Sequence, residues 1–151
     1  MLDDLDRRIL RHLQTDPTLN STDLAERCRM TTAKCWRRVE KMQESGVIQG
    51  QEAVIDWAAL GYAVEVSLRV TLDKTQPRAF DEFQVASREV PEVIEIQTFL
   101  GRVDVRLSVI ARNMPHYQEL YRARILTLPH IADIEALMHI ARIKSDDGLP
   151  L

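Results

Sequence analysis

The chain has 151 residues, 45% of them hydrophobic and 28% charged, with a formal net charge of −3. That balance belongs to a chain that buries a core, so a disordered polyelectrolyte is excluded, and no apolar run nears the ~20 residues a membrane-spanning helix needs. The charge is uneven: residues 1–50 hold nine Lys/Arg and eight Asp/Glu, the remainder eleven and fifteen, so a near-neutral to basic unit precedes an acidic one. The acidic start MLDDLDRRIL is not that of a signal peptide. Cys28 and Cys35 stand seven apart, with no CxxC and no clustered histidines, and read as two reduced thiols on inner helix faces. The expected compartment is the cytoplasm, with no metal and no cofactor.

In chain order, a first helix is predicted from about Asp3 to Gln14, with Leu2, Leu5, Ile9 and Leu13 as its apolar stripe. Asp3, Asp4 and Asp6 sit in its first turn, where the helix dipole favours acids, and Asp16-Pro17 breaks it. A second helix starts at Asn20 or Ser21, where Asn20 and Asp23 resemble a capping box, and turns Leu24, Ala25 and Cys28 inward. Thr31 or Thr32 caps a third helix, with Cys35, Val39 and Met42 inside and Ser45-Gly46 at its end. Val47 to Asp56 reads as an extended connector, a wing or linking strand.

From Tyr62 the period changes to alternation. Val64, Val66, Leu68, Val70 and Leu72 alternate with Glu65, Ser67, Arg69 and Thr71, which predicts a strand with one wet face. A helix follows from Pro77 to Glu89, with Pro in its first turn and Ala79, Phe83, Ala86 and Val90 inward. Glu92–Leu100 and Val103–Ala111 are predicted strands joined by a hairpin at Gly101-Arg102. Asn113-Met-Pro115 opens another helix, with Tyr117, Tyr121, Ile125 and Leu128 inward, and a last strand runs from about Ile131 to Ile140. The order β-α-β-β-α-β carries a weak internal repeat, since Val90-Pro91 and Leu128-Pro129 each end a helix and feed a strand. A ferredoxin-like split βαβ fold needs that duplication. Its open sheet face, with Glu95, Gln97, Phe99, Glu135, Leu137 and His139, reads as half apolar, so a partner sheet and dimers are expected. The tail Leu149-Pro150-Leu151 reads as an assembly contact.

Function is signalled most strongly by residues 27–41, which hold six Lys/Arg (Arg27, Arg29, Lys34, Arg37, Arg38, Lys41) against one acid, Glu40. A one-signed second helix in a short helix pair is the layout of a DNA-binding helix-turn-helix. The candidate contact set is Arg29, Thr31, Thr32, Ala33, Lys34, Trp36, Arg37, Arg38 and Lys41. Thr32, Ala33, Lys34, Trp36 and Arg37 lie in the part of a recognition helix that reads base edges, whereas Arg29, Arg38 and Lys41 are placed for phosphates. Trp36 has two open readings, contact with DNA or packing on the next helix. The four histidines are scattered singly and read as surface or satisfied residues.

Along its whole length the sequence resembles the Lrp/AsnC (feast/famine) family of transcription regulators. LDDLDRRILRHLQTD is similar to that family's first helix, and NSTDLAERCRMTTAKCWRRVEKMQESGVIQG to its helix-turn-helix. LGRVDVRLSVIA falls where the family carries a G-x-x-D hairpin, and TLPHIADIEALMHIARIKSDDGLPL resembles its last strand and tail. The resemblance implies an α+β chain in three parts: a winged helix-turn-helix at 1–49, a linker strand and hinge at 50–61, and a ferredoxin-like βαββαβ domain at 62–151. It implies double-stranded DNA as partner, homodimers that assemble further, often to octamers, and an amino-acid effector bound between dimers near the G-x-x-D turn. The effector candidates are then Leu100, Gly101, Arg102, Val103 and Asp104, with Glu135 and Leu137 of the last strand. Arg102 would hold a carboxylate and Asp104 an amino group, or Asp104 simply stabilises the turn. Two departures bear on this site. Gly101-Arg102-Val103-Asp104-Val105 lacks the acid and two aromatics common in the family's turn, and Glu135-Ala136-Leu137 stands where relatives often carry small hydroxyl residues. The implied effector is therefore a different one, or none.

The alternative is an enzyme, because some proteins of this two-domain layout are siroheme-decarboxylase-like, acting on haem precursors. Arg102, Arg106, Tyr117 and His139 are the residues such a cavity would have to gather. A basic third helix has no use in that chemistry.

Overall fold

The structure is a computed structural model that describes residues 2–144 and 148–151. The chain forms two compact units, Met1–Val54 with Lys144–Leu151, and Ile55–Ile143.

The first unit is three helices: α1 (Asp4–Thr15), α2 (Ser21–Arg27) and α3 (Thr32–Glu44). Asp3 caps α1 reciprocally: its carboxylate accepts from Asp6 N–H at 2.9 Å, and its own N–H donates to the Asp6 carboxylate at 3.1 Å. Asn20 caps α2, accepting from the N–H groups of Thr22 and Asp23. The capping box expected there is only half formed, because the Asp23 carboxylate accepts from the Asn20 side-chain amide and not from its backbone N–H. Thr31 caps α3 through Lys34 N–H. Gly46, at φ 75°, supplies the left-handed residue that ends α3. Ile9, Leu10, Leu24, Ala25, Cys28, Cys35 and Met42 form the buried core, with Val39 only half-buried.

Two features of this unit depart from expectation. Residues 47–56 form no strand, because a strand needs a hydrogen-bonding neighbour and no described residue provides one. The tail belongs to this unit and not to the αβ unit: Leu151 packs on the helical core, and Leu149 N–H donates to the Gln14 side-chain oxygen.

Arg29 joins α2 to α3 at φ 55°, a left-handed conformation that costs a side-chain-bearing residue roughly 1–2 kcal/mol. Arg29→Gly is therefore expected to raise the stability of this unit by about 0.5–1 kcal/mol, after allowing for glycine's greater unfolded-state freedom. In a Trp57→Phe background, where Trp36 fluorescence reports this unit, a rise in urea midpoint at unchanged slope would show it; an unchanged midpoint would mean the strain is absent.

The second unit holds β1 (Val64–Leu72), α4 (Ala79–Arg88), β2 (Val93–Thr98), β3 (Val105–Ala111), α5 (Met114–Leu120) and β4 (Ile131–Met138). The sheet order is β2-β3-β1-β4 and every pairing is antiparallel, with Val66 opposite Val109 and Leu68 opposite Leu107 and Ala136. This is the split βαβ arrangement the repeat predicts. The inward residues Val66, Leu68, Val70, Val105, Leu107 and Val109 meet Phe83 of α4 and Tyr117, Leu120 and Ile125 from the second helix. Val90 and Leu128, the residues before the two repeat prolines, are both buried.

Helix α4 starts two residues later than predicted, leaving Pro77 outside it and no side-chain cap. Helix α5 passes into a π turn at Tyr121–Ile125. Tyr117, Tyr121 and Ile125 are spaced by four, which drifts across a 3.6-residue helix; a wider turn rotates less per residue and offsets that drift. The open sheet face is more polar than expected. Gln97, Arg106, Arg69 and Glu135 form one cross-strand row on it, and the face carries the pairs Arg106–Glu95 at 2.9 Å and Arg69–Glu135 at 3.7 Å.

Candidate nucleic-acid interface and effector turn

Helix α3 turns Cys35, Val39 and Met42 to the core, so helical geometry carries Ala33 and Arg37 to the opposite side and Trp36 and Lys34 to its two flanks. Thr31, Thr32, Ala33, Lys34, Trp36, Arg37 and Lys41 are exposed, as is Arg29 on the turn before them. Among the described residues no ion pair engages Arg29, Lys34, Arg37 or Lys41; Arg37 Nε makes only a long 3.4 Å bond to the Ala33 carbonyl. Lys34, Arg37 and Lys41 line one exposed groove, a cationic surface of the kind that attracts phosphate oxygens.

Arg38 departs from this group. Its Nη1 lies 2.9 Å from the Asp3 carboxylate and 2.6 Å from that of Asp6, and its side chain is 24% exposed. The hydrogen bonds it donates to Asp6 and Asp3 raise its pKa above the usual guanidinium value. The Asp3 carboxyl is held below the usual carboxylate range, first by the Asp6 N–H and then by Arg38. Arg38, read from the sequence as a phosphate contact, has its charge met inside the unit by two carboxylates. The sequence does carry a signal for this, an Asp-x-x-Asp pair at the start of α1, but helix-dipole placement alone accounts for those acids.

Trp36 is 52% exposed. It lines a cleft of ≈ 350 Å³ with Leu13, Leu19, Leu24, Val39 and Ile48. Part of the ring therefore faces apolar wall and part faces solvent, so neither of its two readings excludes the other.

In the αβ unit the β2–β3 turn is closed by Thr98 opposite Val105 and by Phe99 N–H donating to the Asp104 carbonyl at 2.9 Å. Asp104 is 4% exposed. Its Oδ2 accepts from Leu72 N–H at 2.9 Å, its Oδ1 lies 3.2 Å from Lys74 Nζ, and its own N–H donates to the Val70 carbonyl at 3.0 Å. It is a carboxylate that ties the turn to the end of β1, and its oxygens do not face outward to meet an amino group. Leu100, Gly101 and Arg102 are exposed and Val103 is half-buried. The Arg102 carbonyl accepts from Thr71 Oγ1 at 3.1 Å, while its guanidinium has no partner among the described residues. Glu135 and Leu137 lie on β4, with β1 between that strand and β3. At about 4.8 Å per strand spacing, one chain does not bring them to Arg102.

The residues a decarboxylase would gather stay apart. Arg106 pairs with Glu95, Tyr117 is buried under the helix side of the sheet, and His139 lies beyond β4, 3.5 Å from Glu65. His116, His130 and His139 each sit beside a glutamate, in line with satisfied histidines.

Comparison with known proteins accords with this arrangement. Residues 65–149 match the Lrp/AsnC ligand binding domain, and residues 2–49 match the winged helix-turn-helix DNA-binding family. The DNA-binding transcriptional activator DecR of Escherichia coli (strain K12) is 28% identical over 151 residues, covering 100% of this chain and 99% of that protein. The leucine-responsive regulatory protein of the same organism is 28% identical, covering 98% and 90%. Among solved structures, an AsnC family transcriptional regulator from Agrobacterium tumefaciens superposes with a TM-score of 0.88 at 34% identity, covering 99% and 97% of the two chains. A transcriptional regulator of Neisseria meningitidis in complex with L-Met has the same fold, with a TM-score of 0.91 at 23% identity. With both of its parts matched in order and over nearly their full length, the chain belongs to the Lrp/AsnC family of DNA-binding transcription regulators.

Proposed function

We propose that the protein acts in the cytoplasm as a homo-oligomeric, sequence-specific regulator in which α3 enters the DNA major groove. In this reading Lys34, Trp36 and Arg37 face base edges, and Arg29 and Lys41 hold phosphates. The observation that carries it is the cationic surface of α3, where Lys34, Arg37 and Lys41 make no ion pair among the described residues, on a chain of net charge −3. Two such helices in a dimer would address successive major-groove faces, so the site is pseudo-palindromic. Dimers assemble further, to octamers.

The αβ unit would respond to an amino acid or a related small metabolite between dimers. Arg102, exposed on the β2–β3 turn and with no partner for its guanidinium among the described residues, suits a carboxylate. A bound ligand changes DNA affinity only as far as it prefers one arrangement of the DNA-binding units over another.

The test is selection of duplexes from a random pool by the purified protein, followed by affinity measurement across salt concentrations with and without each amino acid. Recovery of one pseudo-palindromic sequence, bound with a steep salt dependence, supports the reading. Equal affinity for selected and random duplexes would sink it.

A further inference from the structure

Arg38 lies in the run of cations that points to DNA, yet it is the one member with two carboxylate partners. Its guanidinium joins Asp3 and Asp6, and Asp3 is at the same time the N-cap of α1. The start of α1 and the middle of α3 are thus a single hydrogen-bonded network. With one cation and two carboxylates, the network carries a net negative charge. It lies along a groove of ≈ 370 Å³ whose other walls are Lys34, Arg37 and Lys41. A phosphate approaching Arg38 would meet two carboxylates beside it, whereas one approaching Lys34, Arg37 or Lys41 meets a cation with no ion pair among the described residues.

The partners also have a geometric effect. Core contacts through Cys35 and Met42 hold α3 at a distance from α1 but leave small rotations about its own axis inexpensive, since apolar packing is not directional. A charge-assisted hydrogen bond from a side chain at the edge of the inner face is directional, and it fixes that rotation. Base-edge contacts depend on rotation within a few tenths of an ångström, whereas phosphate contacts by long flexible side chains tolerate much more.

We infer that Arg38 is a positioning residue for base readout: held by Asp3 and Asp6, it sets the rotation of α3 and makes no phosphate contact. This rests on α3 being the recognition helix.

The experiment measures affinity for a duplex selected by the wild-type protein and for a random duplex, across salt concentrations. The variants are Arg38→Gln and Asp3→Asn/Asp6→Asn. Asparagine keeps the capping acceptors of α1, so the second variant tests the inference even if Arg38→Gln unfolds the unit. The two variants change the protein's charge in opposite directions. A positioning role predicts that both lower the selected-over-random ratio, by about tenfold, with the salt slope on random DNA unchanged in Arg38→Gln. A phosphate contact predicts an unchanged ratio and a slope smaller by about 0.9 in Arg38→Gln. That result, or an unchanged ratio in Asp3→Asn/Asp6→Asn, overturns the inference. A wild-type ratio of one is a different failure, because it removes the recognition-helix reading itself.

Discussion

Asp104→Ala is expected to destabilise the αβ unit by about 2–3 kcal/mol. The substitution removes the acceptor of Leu72 N–H, a buried donor with no alternative partner among the described residues, and the bond lost is one to a charged acceptor. The Lys74 contact adds little, because the Lys74 side chain is 67% exposed and its ammonium returns to water. Asp104→Asn keeps an oxygen for Leu72 N–H and is expected to lose about half as much. Two compact units make a single unfolding midpoint ambiguous, but each unit holds one tryptophan, Trp36 or Trp57. In a Trp36→Phe background, urea unfolding followed by fluorescence reports the αβ unit through Trp57. An unchanged midpoint together with a lost effector response would show that Asp104 is a ligand contact after all.

That prediction marks a limit of reading this chain from its sequence. Both readings of Asp104 were open there, turn carboxylate and ligand contact, because an Asp after a tight turn looks the same in either case. What separates them is the long-range pairing of Asp104 with Leu72, thirty-two positions away, and no local pattern encodes that distance. Arg38 was obscured for the same reason, since Asp3 and Asp6 lie thirty-five and thirty-two positions before it. Elements governed by local rules were legible. Thr31 and Asn20 cap helices, Val66, Leu68 and Val70 face inward at period two, and the apolar-Pro steps at Val90 and Leu128 mark two similar helix ends. The bulge at Val93–Glu95 and the π turn at Tyr121–Ile125 were not legible, because each insertion breaks the period that reveals its element. The linking strand was over-read from an extended pattern, since extended residues become a strand only beside another strand.

The exposed cations of α3 give the larger functional effect. The triple variant Lys34→Ala/Arg37→Ala/Lys41→Ala is expected to weaken DNA binding by about two to three orders of magnitude per α3 helix at about 0.1 M salt. Each phosphate neutralised contributes roughly 0.9 to the slope of log K against log salt, so the lost Lys41 contact lowers it by about 0.9, while the base-edge contacts of Lys34 and Arg37 supply the rest of the affinity loss. Stability should hold within about 0.5 kcal/mol, because these side chains are exposed and make no ion pair among the described residues. Alanine also favours the helix at all three positions. The combination matters: a variant that folds like the wild type, binds far more weakly and has a shallower salt slope has lost contacts to base edges and to phosphate together. A solvated helix face predicts the opposite, an unchanged slope and unchanged affinity. A slope loss near 1.8 or 2.7 would move Lys34, Arg37 or both from base edges to phosphates, and each restored singly would identify which, since each lies next to the Arg38 groove at a different height along α3.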